Sequence, residues 1–256
     1  GVAAWLTRRP LVIHEQNAIA GFTNRCLAHL AREVLEAFPG SFGAGVRART
    51  IGNPVRREIS DIRAPAGRFA ERSGPIRILV VGGSQGAVRL NTIVPLALAA
   101  ASQHLAVEVR HQAGSRWHEA AERSYSAAGV PAQVMPFIDD MAGAYAWADL
   151  VICRSGALTI SELAAAGIGA ILVPFPAAVD DHQTANAGHL VQAGAAVLID
   201  ERELTAEHLA MELRRLCASG GRDRLLAMAE SARSLALPHA VDALADACLA
   251  YAKDRS

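Results

Sequence analysis

The stretch from Ile76 to Ala87, IRILVVGGSQGA, decides how the rest of this 256-residue chain is interpreted. Its first half is a short apolar run rich in β-branched residues. Its second half is a glycine-rich turn that precedes a long Ala/Leu pattern. This succession predicts a buried strand, a tight turn and the start of a helix. Because such a turn directs backbone N–H groups and the positive end of a helix dipole at one point, it favours binding of an anion such as phosphate.

The glycine-rich turn, residues 82–86, also permits a different interpretation. It lacks the Lys-Ser/Thr ending of a P-loop and the spacing of G-x-G-x-x-G, but it matches the G-x-S-x-G elbow of serine hydrolases with Ser84 at its centre. Asp180 or Asp181, with His239, would then complete a catalytic triad. Only one convincing strand precedes Ser84, and no oxyanion loop of the HGGG type is present. Phosphate binding is therefore favoured, with a hydrolase and a purely structural turn as the alternatives.

The composition narrows the class of protein. The 25 basic and 25 acidic residues cancel, so no overall field attracts nucleic acid or anionic lipid, and we expect no nucleic-acid partner. Four cysteines are widely spaced without a C-x-x-C pair, which favours reduced thiols over disulfides or a zinc site. No apolar run is long enough to span a bilayer, and no signal peptide is visible. Because the chain begins at Gly1, we expect a fragment that lacks its natural amino terminus.

The residues before the organising stretch predict the trailing part of another α/β domain. Leu11–Ile13 forms a short apolar strand, and residues 14–17 form a polar loop at its carboxyl end. From Thr23 onward, the spacing of the apolar residues up to Leu35 is helical. Residues 57–75 show little apolar periodicity and are predicted to be a linker at the domain boundary.

Beyond the linker, strands and helices alternate, which predicts parallel strands with right-handed crossovers in a doubly wound sheet. The fold class is therefore α/β, with one complete Rossmann-like domain at 76–236 and a last helix within 237–256. That helix carries an apolar stripe of Val241, Leu244, Ala245, Cys248 and Leu249. The predicted strands are 76–81, 105–110, 132–137, 149–153, 170–174 and 196–199. The predicted helices are 86–101, 116–128, 141–147, 157–166, 183–193, 206–218, 222–235 and 240–252.

Candidate site residues follow the strands, at the edge where open α/β sheets bind ligands. Ser155 is a natural N-cap for the helix at 157–166, whose first backbone N–H groups suit a phosphate. Glu162 lies further along that helix. Its carboxylate suits the two hydroxyls of a ribose, although a carboxylate that merely stabilises the helix dipole is the simpler alternative.

Other strand ends carry further candidates. Asp139 or Asp140 is predicted to be an N-cap, and the backbone of Ile138 is placed to contact the edge of a flat base. Gln183 and Asn186 share a helix face and suit sugar hydroxyls. No D-x-D sequence occurs, and consecutive residues such as 180–182 do not easily share one ion, so we expect no metal. Arg56 is then a candidate partner for a diphosphate.

Two residues of the first segment have both functional and structural interpretations. His14, beside a strand end, is a candidate catalytic residue, but a hydrogen-bonded structural histidine is the favoured interpretation. Trp5 is a candidate membrane contact, although a solvated helix end is favoured.

Six motifs in register resemble one known family. They are His14-Glu-Gln-Asn17, Gly52-Asn-Pro-Val-Arg56, Gly82-Gly-Ser-Gln-Gly86, Phe137-Ile-Asp-Asp-Met141, Arg154-Ser-Gly-Ala157 and Asp181-His-Gln183. Each is weak alone, but this order is similar to that of the MurG family of bacterial GT-B glycosyltransferases. The similarity covers nearly the whole chain.

The resemblance implies transfer of N-acetylglucosamine (GlcNAc) from UDP-GlcNAc to lipid I, which yields lipid II of peptidoglycan with inversion at the anomeric carbon. It implies no cofactor and a peripheral position on the cytoplasmic face of the inner membrane. Residues 1–56 would be the remainder of the acceptor domain, and 76–236 the donor domain. Glu162 would hold the ribose, Ile138 the uracil, Ser84 the diphosphate and Gln183 the GlcNAc. The donor contacts implied are Asn17, Arg56, Ser84, Ile138, Ala157, Leu158, Thr159, Ile160, Ser161, Glu162 and Gln183.

The chain also departs from the family pattern. The Thr-Gly-Gly-His loop that faces the acceptor is absent, as is most of the acceptor domain with its apolar membrane-facing patch. We therefore expect the catalytic base to lie outside these residues, membrane contact to run through the missing part, and the chain alone to be inactive. A UDP-GlcNAc 2-epimerase of the same fold and a non-catalytic nucleotide-sugar-binding module are further alternatives.

Overall fold

The computed structural model describes residues 1–83, 87–102, 105–176 and 181–252, which form two parallel sheets with helices around them. The helices are α1 (Val2–Leu6), α2 (Phe22–Ala28), α3 (Arg57–Ser60), α4 (Pro65–Phe69), α5 (Val88–Ala101), α6 (His118–Ala127), α7 (Met141–Trp147), α8 (Ala157–Ala166), α9 (His182–Gln192), α10 (Ala206–Cys217), α11 (Gly221–Ser234) and α12 (Ala240–Ala252). The strands are β1 (Val12–Glu15), β2 (Glu33–Glu36), β3 (Arg49–Thr50), β4 (Ile76–Val81), β5 (Val107–Gln112), β6 (Gln133–Met135), β7 (Leu150–Cys153), β8 (Gly169–Leu172) and β9 (Ala196–Leu198).

The larger sheet is doubly wound, as predicted. Its six parallel strands lie in the order β6-β5-β4-β7-β8-β9, so the direction of winding reverses between β4 and β7. Alternate residues of β4 face opposite layers: Ile78 and Val80 pack in one apolar cluster, and Leu79 packs in the other. Because both faces are covered, the central strands β7 and β8 are fully buried and carry no charged side chain. Truncating a side chain as buried as Leu79 typically costs about 2–5 kcal/mol.

The smaller sheet contains one error of prediction. Its parallel order is β1-β2-β3, and the helix predicted to continue through Val34 and Leu35 is wrong, because α2 ends at Ala28 and β2 follows. Val34 packs with Ile13 on one face of the sheet, and Leu35 packs with Ala247 on the other. A central strand buried on both faces has consecutive apolar residues, which sequence spacing alone confuses with a helix.

Two further details of this sheet differ from prediction. His14 and Glu15 belong to β1 rather than to a loop, because both pair in register with β2. The two-residue strand β3 was not predicted, since two residues are too few for a period to be recognised.

Residues 57–75, predicted to be a linker, contain two short helices fixed to the larger sheet domain. Ile59, in α3, is buried in the same apolar cluster as α8. The buried guanidinium of Arg68 donates to the carbonyl oxygens of Ala166 and Gly167 at 2.8 and 2.6 Å. Gly167 ends α8 in a left-handed conformation (φ +63°), and a Cβ there would lie 2.8 Å from Pro65. The segment therefore packs as part of the larger sheet domain. The domain boundary itself stays a prediction.

The last helix, α12, packs against the smaller sheet. Ala247 shares a cluster with Leu35 and Ile51, and Leu244 packs at its edge. The predicted stripe is partly confirmed. Leu244 packs on the sheet as predicted, but Val241 and Leu249 are about half exposed, while Ala240 and Ala247 are buried. Small alanines allow the helix backbone to approach the sheet, a preference that hydrophobicity alone does not reveal.

Candidate functional site

The carboxyl ends of β4 and β7 meet where the strand order reverses. In doubly wound folds this switch point is where ligands bind. After β4, Gly83 takes a left-handed conformation (φ +75°) that glycine adopts without strain. Ser84, with its neighbours Gln85 and Gly86, lies outside the described residues, so its predicted role stays a prediction. After β7, residues 154–156 lead directly into α8.

The start of α8 differs from the prediction in one respect. Gly156 is the N-cap, not Ser155, whose side chain is fully buried and whose Oγ has no partner among the described residues. The predicted cap is wrong because the chain folds Ser155 inward before the helix begins. The backbone N–H of Ile160 bonds to Gly156, so the N–H groups of residues 157–159 are the ones without a partner in the helix. An anion at this end would meet those three groups.

Glu162 lies one turn further along α8 and is held by two side chains. Arg56 Nη2 lies 3.3 Å from its Oε1, and the hydroxyl of Tyr145 donates to its Oε2 at 3.1 Å. The Glu162 side chain is about 20% exposed and that of Arg56 56% exposed. As the sixth residue of the helix, Glu162 lies beyond the first turn, where the dipole effect is concentrated. The simpler structural interpretation is thereby weakened.

The remaining residues of the predicted stretch 157–162 take different places. Leu158 is half exposed, whereas Ile160 is fully buried in the core. The hydroxyl of Ser161 donates to the carbonyl of Ala157 at 3.0 Å and accepts from Asn53 at 3.1 Å. Side-chain contact with a ligand is therefore open to Leu158, Thr159 and Glu162, but not to Ile160.

Asparagines join the smaller sheet to this helix. Asn53 Nδ2 also donates to the carbonyl of Gln16 at 3.0 Å, which links the loop after β1 to α8. Asn186 donates to the carbonyl of Ser155 and to Asn17 Oδ1, and accepts from the backbone N–H of Ala18 at 2.7 Å. The prediction that Asn186 faces sugar hydroxyls is wrong, because it is fully buried between the two sheets.

The loop after β1 is shaped by one buried carboxylate. Glu15 accepts hydrogen bonds from the backbone N–H groups of Asn17 and Gly21 and from the side chains of Asn17 and Asn24. Although burial alone would raise the pKa of Glu15, these hydrogen bonds hold that pKa below its usual range. His14 Nε2 donates to the Gly52 carbonyl at 3.0 Å, so the structural interpretation of His14 is confirmed.

The segment before and within α7 brings two candidates together. Asp140 is the N-cap of α7, as predicted, since its carboxylate accepts from the N–H of Gly143 at 2.8 Å. Ile138 is buried in the same cluster as Tyr145 and Ala157. Ile138, Tyr145 and the first residue of α8 thus contribute to one buried layer on the same side of the larger sheet.

Gln183 is half-buried at the start of α9, where its Oε1 accepts from the backbone N–H of Phe175 at 2.9 Å. Among the described residues no hydrogen bond joins it to Glu162. Asp181, at the N-cap of α9, takes a left-handed conformation (φ +53°), and Asp180 lies outside the described residues. His239, the third member of the alternative hydrolase triad, is exposed in the segment before α12. Within the described ranges, no group of three or more His, Cys, Asp and Glu could hold a metal ion.

A cavity of about 220 Å³ lies between the two sheets. It is lined by residues of α8, the loop at 52–55 and the segment 235–241, among them Asn53 and Ser161. Arg56, Tyr145 and Glu162 do not line it. The group formed by Arg56, Tyr145 and Glu162 is therefore distinct from this cavity.

Comparisons with known proteins assign the chain to a family. Residues 77–244 match the glycosyltransferase family 28 C-terminal domain. The chain is 58% identical over 249 residues to the UDP-N-acetylglucosamine–N-acetylmuramyl-(pentapeptide) pyrophosphoryl-undecaprenol N-acetylglucosamine transferase of Marinobacter nauticus, covering 97% of this chain and 68% of that protein. It is 54% identical to the protein of the same name from Nitrosococcus oceani, covering 98% of this chain and 70% of that protein. The crystal structure of Acinetobacter baumannii MurG superposes with a TM-score of 0.88 at 41% identity, covering 97% of this chain and 69% of that one.

The chain belongs to the MurG family. Its two parallel sheets are accordingly those of a GT-B glycosyltransferase. The named relatives are transferases, which lends no support to a serine hydrolase or a 2-epimerase. Within this MurG-family chain, sequence reasoning missed Tyr145. The sequence does carry a signal for Tyr145. It is the one polar side chain in the apolar segment MAGAYA, and a tyrosine hydroxyl that becomes buried needs a hydrogen-bond partner elsewhere in the fold.

Proposed function

We propose that this chain forms the donor-binding part of an inverting glycosyltransferase that moves GlcNAc from UDP-GlcNAc to lipid I, producing lipid II for peptidoglycan. The observation that supports this most strongly is Glu162, a partly exposed carboxylate at the switch point whose one charged partner among the described residues, Arg56, is itself exposed. A ribose diol can replace that arginine, because hydroxyl groups donate to carboxylate oxygens.

The nucleotide would lie along the carboxyl edge of the larger sheet. Glu162 accepts hydrogen bonds from the ribose hydroxyls, and the backbone beside Ile138 contacts the uracil edge. The N–H groups of residues 157–159 and Ser84 hold the diphosphate, which also attracts the guanidinium that Glu162 releases. Gln183 contacts the GlcNAc through its amide, with Asn17 on the opposite side of the cleft.

The transfer is a direct displacement at the anomeric carbon. A base removes the proton of the acceptor hydroxyl, and the oxygen forms a new bond to the anomeric carbon. The bond to the β-phosphate oxygen breaks, and its electron pair leaves with UDP. The dipole of α8 and the charge of Arg56 stabilise the negative charge that develops on the leaving diphosphate. The base would belong to the acceptor side of the cleft.

The enzyme would act at the cytoplasmic face of the inner membrane, where it would meet its lipid-linked acceptor as a peripheral protein. Among the described helices, none has the length and apolar character that a bilayer crossing requires. Contact with the membrane would run through the acceptor domain rather than through the donor site.

Calorimetric titration with UDP tests the donor site. We expect UDP to bind more tightly than TDP or CDP, and Glu162→Ala to weaken UDP binding by about 1–3 kcal/mol, because charged hydrogen bonds to the ribose are lost. Asp61→Ala, an exposed carboxylate on the neighbouring helix α3, is the control and should leave the affinity unchanged. Equal affinity of the wild type and Glu162→Ala would refute the ribose role.

Two assays address the alternative functions. Labelling of Ser84 by a fluorophosphonate, unchanged when UDP is added, would favour a hydrolase. Formation of UDP-ManNAc from UDP-GlcNAc without a lipid acceptor would favour an epimerase. We expect neither result.

A further inference from the structure

Tyr145 is a fully buried tyrosine whose hydroxyl points at the site. It is 1% exposed in α7, and its hydroxyl donates to Glu162 Oε2 at 3.1 Å. No other hydrogen bond of this hydroxyl occurs among the residues the structure describes. A buried tyrosine hydroxyl without a partner is costly, so this contact fixes both side chains.

The Tyr145 hydroxyl is held in its protonated form. Burial, and next to it the negative charge of Glu162, raise the pKa of Tyr145 well above its ordinary value. The hydroxyl therefore stays protonated and is the donor in this hydrogen bond.

The two oxygens of Glu162 consequently differ in how firmly they are held. Oε2 is anchored by a buried group, whereas Oε1 faces Arg56, whose side chain is mostly exposed. A glutamate side chain has several rotamers, and ordering it on ligand binding costs affinity. Here the anchor orders the carboxylate before any ligand arrives.

We propose that Tyr145 is a positioning residue that presents the Glu162 carboxylate to the ribose, and that its hydroxyl thereby sets the preference for a ribonucleotide over a 2′-deoxyribonucleotide. This inference rests on the proposed function, because it assumes that Glu162 binds the ribose. Tyr145 acts through Glu162 and does not itself touch the nucleotide.

The placement of α7 gives this arrangement a second consequence. Ile138, the proposed uracil contact, lies three residues before the first residue of α7, and Asp140 caps the helix. The base contact and the support of the ribose contact thus come from one short segment. A nucleotide that is held by its base is then presented to a carboxylate already in place.

The test compares UDP and 2′-deoxy-UDP by calorimetry on the wild-type chain, Tyr145→Phe and Tyr125→Phe. Tyr125 is the matched control, since it is equally buried but donates its hydroxyl to His111 in the other cluster. We expect Tyr145→Phe to weaken UDP binding by about five- to tenfold, which is the size of one hydrogen bond of ordinary strength. Binding of 2′-deoxy-UDP should weaken less, so the preference for UDP shrinks. Tyr125→Phe should leave the preference unchanged.

The ratio of the two affinities does not depend on the folded fraction, because both ligands meet the same folded protein. A Tyr145→Phe variant with the wild-type preference would overturn the inference even if it were less stable. If Glu162→Ala abolishes the preference while Tyr145→Phe retains it, the positioning role alone is refuted. If the wild type shows no preference, or does not bind UDP, the ribose role of Glu162 fails and the inference fails with it.

Discussion

Two carboxylates of this protein, Asp149 and Glu162, each pair with arginine but lie at opposite ends of the larger sheet. Asp149 precedes β7, is fully buried, and accepts from the backbone N–H of Arg77 at 3.0 Å. Arg72 lies 3.4 Å and Arg222 3.7 Å from its oxygens. Glu162 lies near the carboxyl edge, is partly exposed, and has Arg56 as its one charged partner within the described ranges.

The difference between them is whether the arginine can leave. Arg72 also donates to the carbonyl oxygens of Ala146 and Trp147, so several bonds hold it in place. Among the described contacts, the Arg56 side chain makes a hydrogen bond only to Glu162, and it is more than half exposed. A buried carboxylate with fixed partners stabilises a fold, whereas one with an exchangeable partner can bind a ligand.

The largest effect should be on stability and should come from the buried group of Asp149, Arg72 and Arg222, the closed cluster. Asp149→Ala leaves two arginines without their buried partner and should lower the free energy of unfolding by about 3–5 kcal/mol. Urea denaturation measures this change. The control is Glu71→Ala, in an exposed pair with Arg63, which should cost no more than about 1 kcal/mol. A loss for Asp149→Ala as small as that of the control would remove the distinction between closed and open clusters.

A second buried polar group, formed by His111, Tyr125 and Asn91, contains no ion pair but should make the stability of the protein depend on pH. Buried His111 accepts from Tyr125 and donates to Asn91 Oδ1 at 3.0 Å, and burial lowers its pKa to about 3. The unfolded chain, with an ordinary histidine pKa near 6.5, binds the proton first as the pH falls. The stability from His111 is therefore complete above about pH 6.5 and is lost toward pH 3, by up to about 1.4 kcal/mol per pH unit.

The measurement is the unfolding free energy of wild type and His111→Gln between pH 7 and pH 4. Carboxylates titrate in both proteins, so the difference between the two unfolding free energies reports the contribution of His111 alone. The gap between the two curves should narrow as the pH falls. A constant gap would show that His111 is not a buried neutral base.

The smallest effect should be on ligand affinity and should come from the exposed pair of Arg56 and Glu162, the open cluster. Its direction should depend on whether the ligand carries phosphates. Arg56→Ala should weaken UDP binding by about 1 kcal/mol, since one charged contact with the diphosphate is lost. The same variant should bind uridine as well as the wild type or slightly better, because uridine has no phosphate and Glu162 is then free. Arg57→Ala, at the neighbouring exposed arginine, is the control in both titrations. Equal losses for UDP and uridine would contradict an exchangeable Arg56–Glu162 pair.

The larger sheet could be predicted well because its signals are local. The apolar run Ile76–Val81 is a strand with those bounds, and the helix beginning at Ala157 has its predicted bounds. The smaller sheet could not be predicted in the same way, because Val34 and Leu35 pack on opposite faces of it, and part of the cover on one face comes from the distant helix α12. Its central strand depends on pairing with β1 and on the cover provided by α12.

The site was predictable in its position but not in its partners. The sequence predicts Arg56 and Glu162 as separate candidates, from a motif and from a strand end. Only the fold shows that the two side chains are paired. Asn186 has the composition of a sugar contact but is used to join the two sheets. Such assignments depend on which surface a side chain finally meets, and a polar residue type does not specify that.

The most direct test of this account is a crystal structure of the chain with UDP bound. We expect the ribose hydroxyls within hydrogen-bond distance of the Glu162 oxygens, Arg56 turned from Glu162 toward the diphosphate, and the contacts of Asp149 unchanged. A complex in which Arg56 still pairs with Glu162 while UDP lies elsewhere would contradict the account.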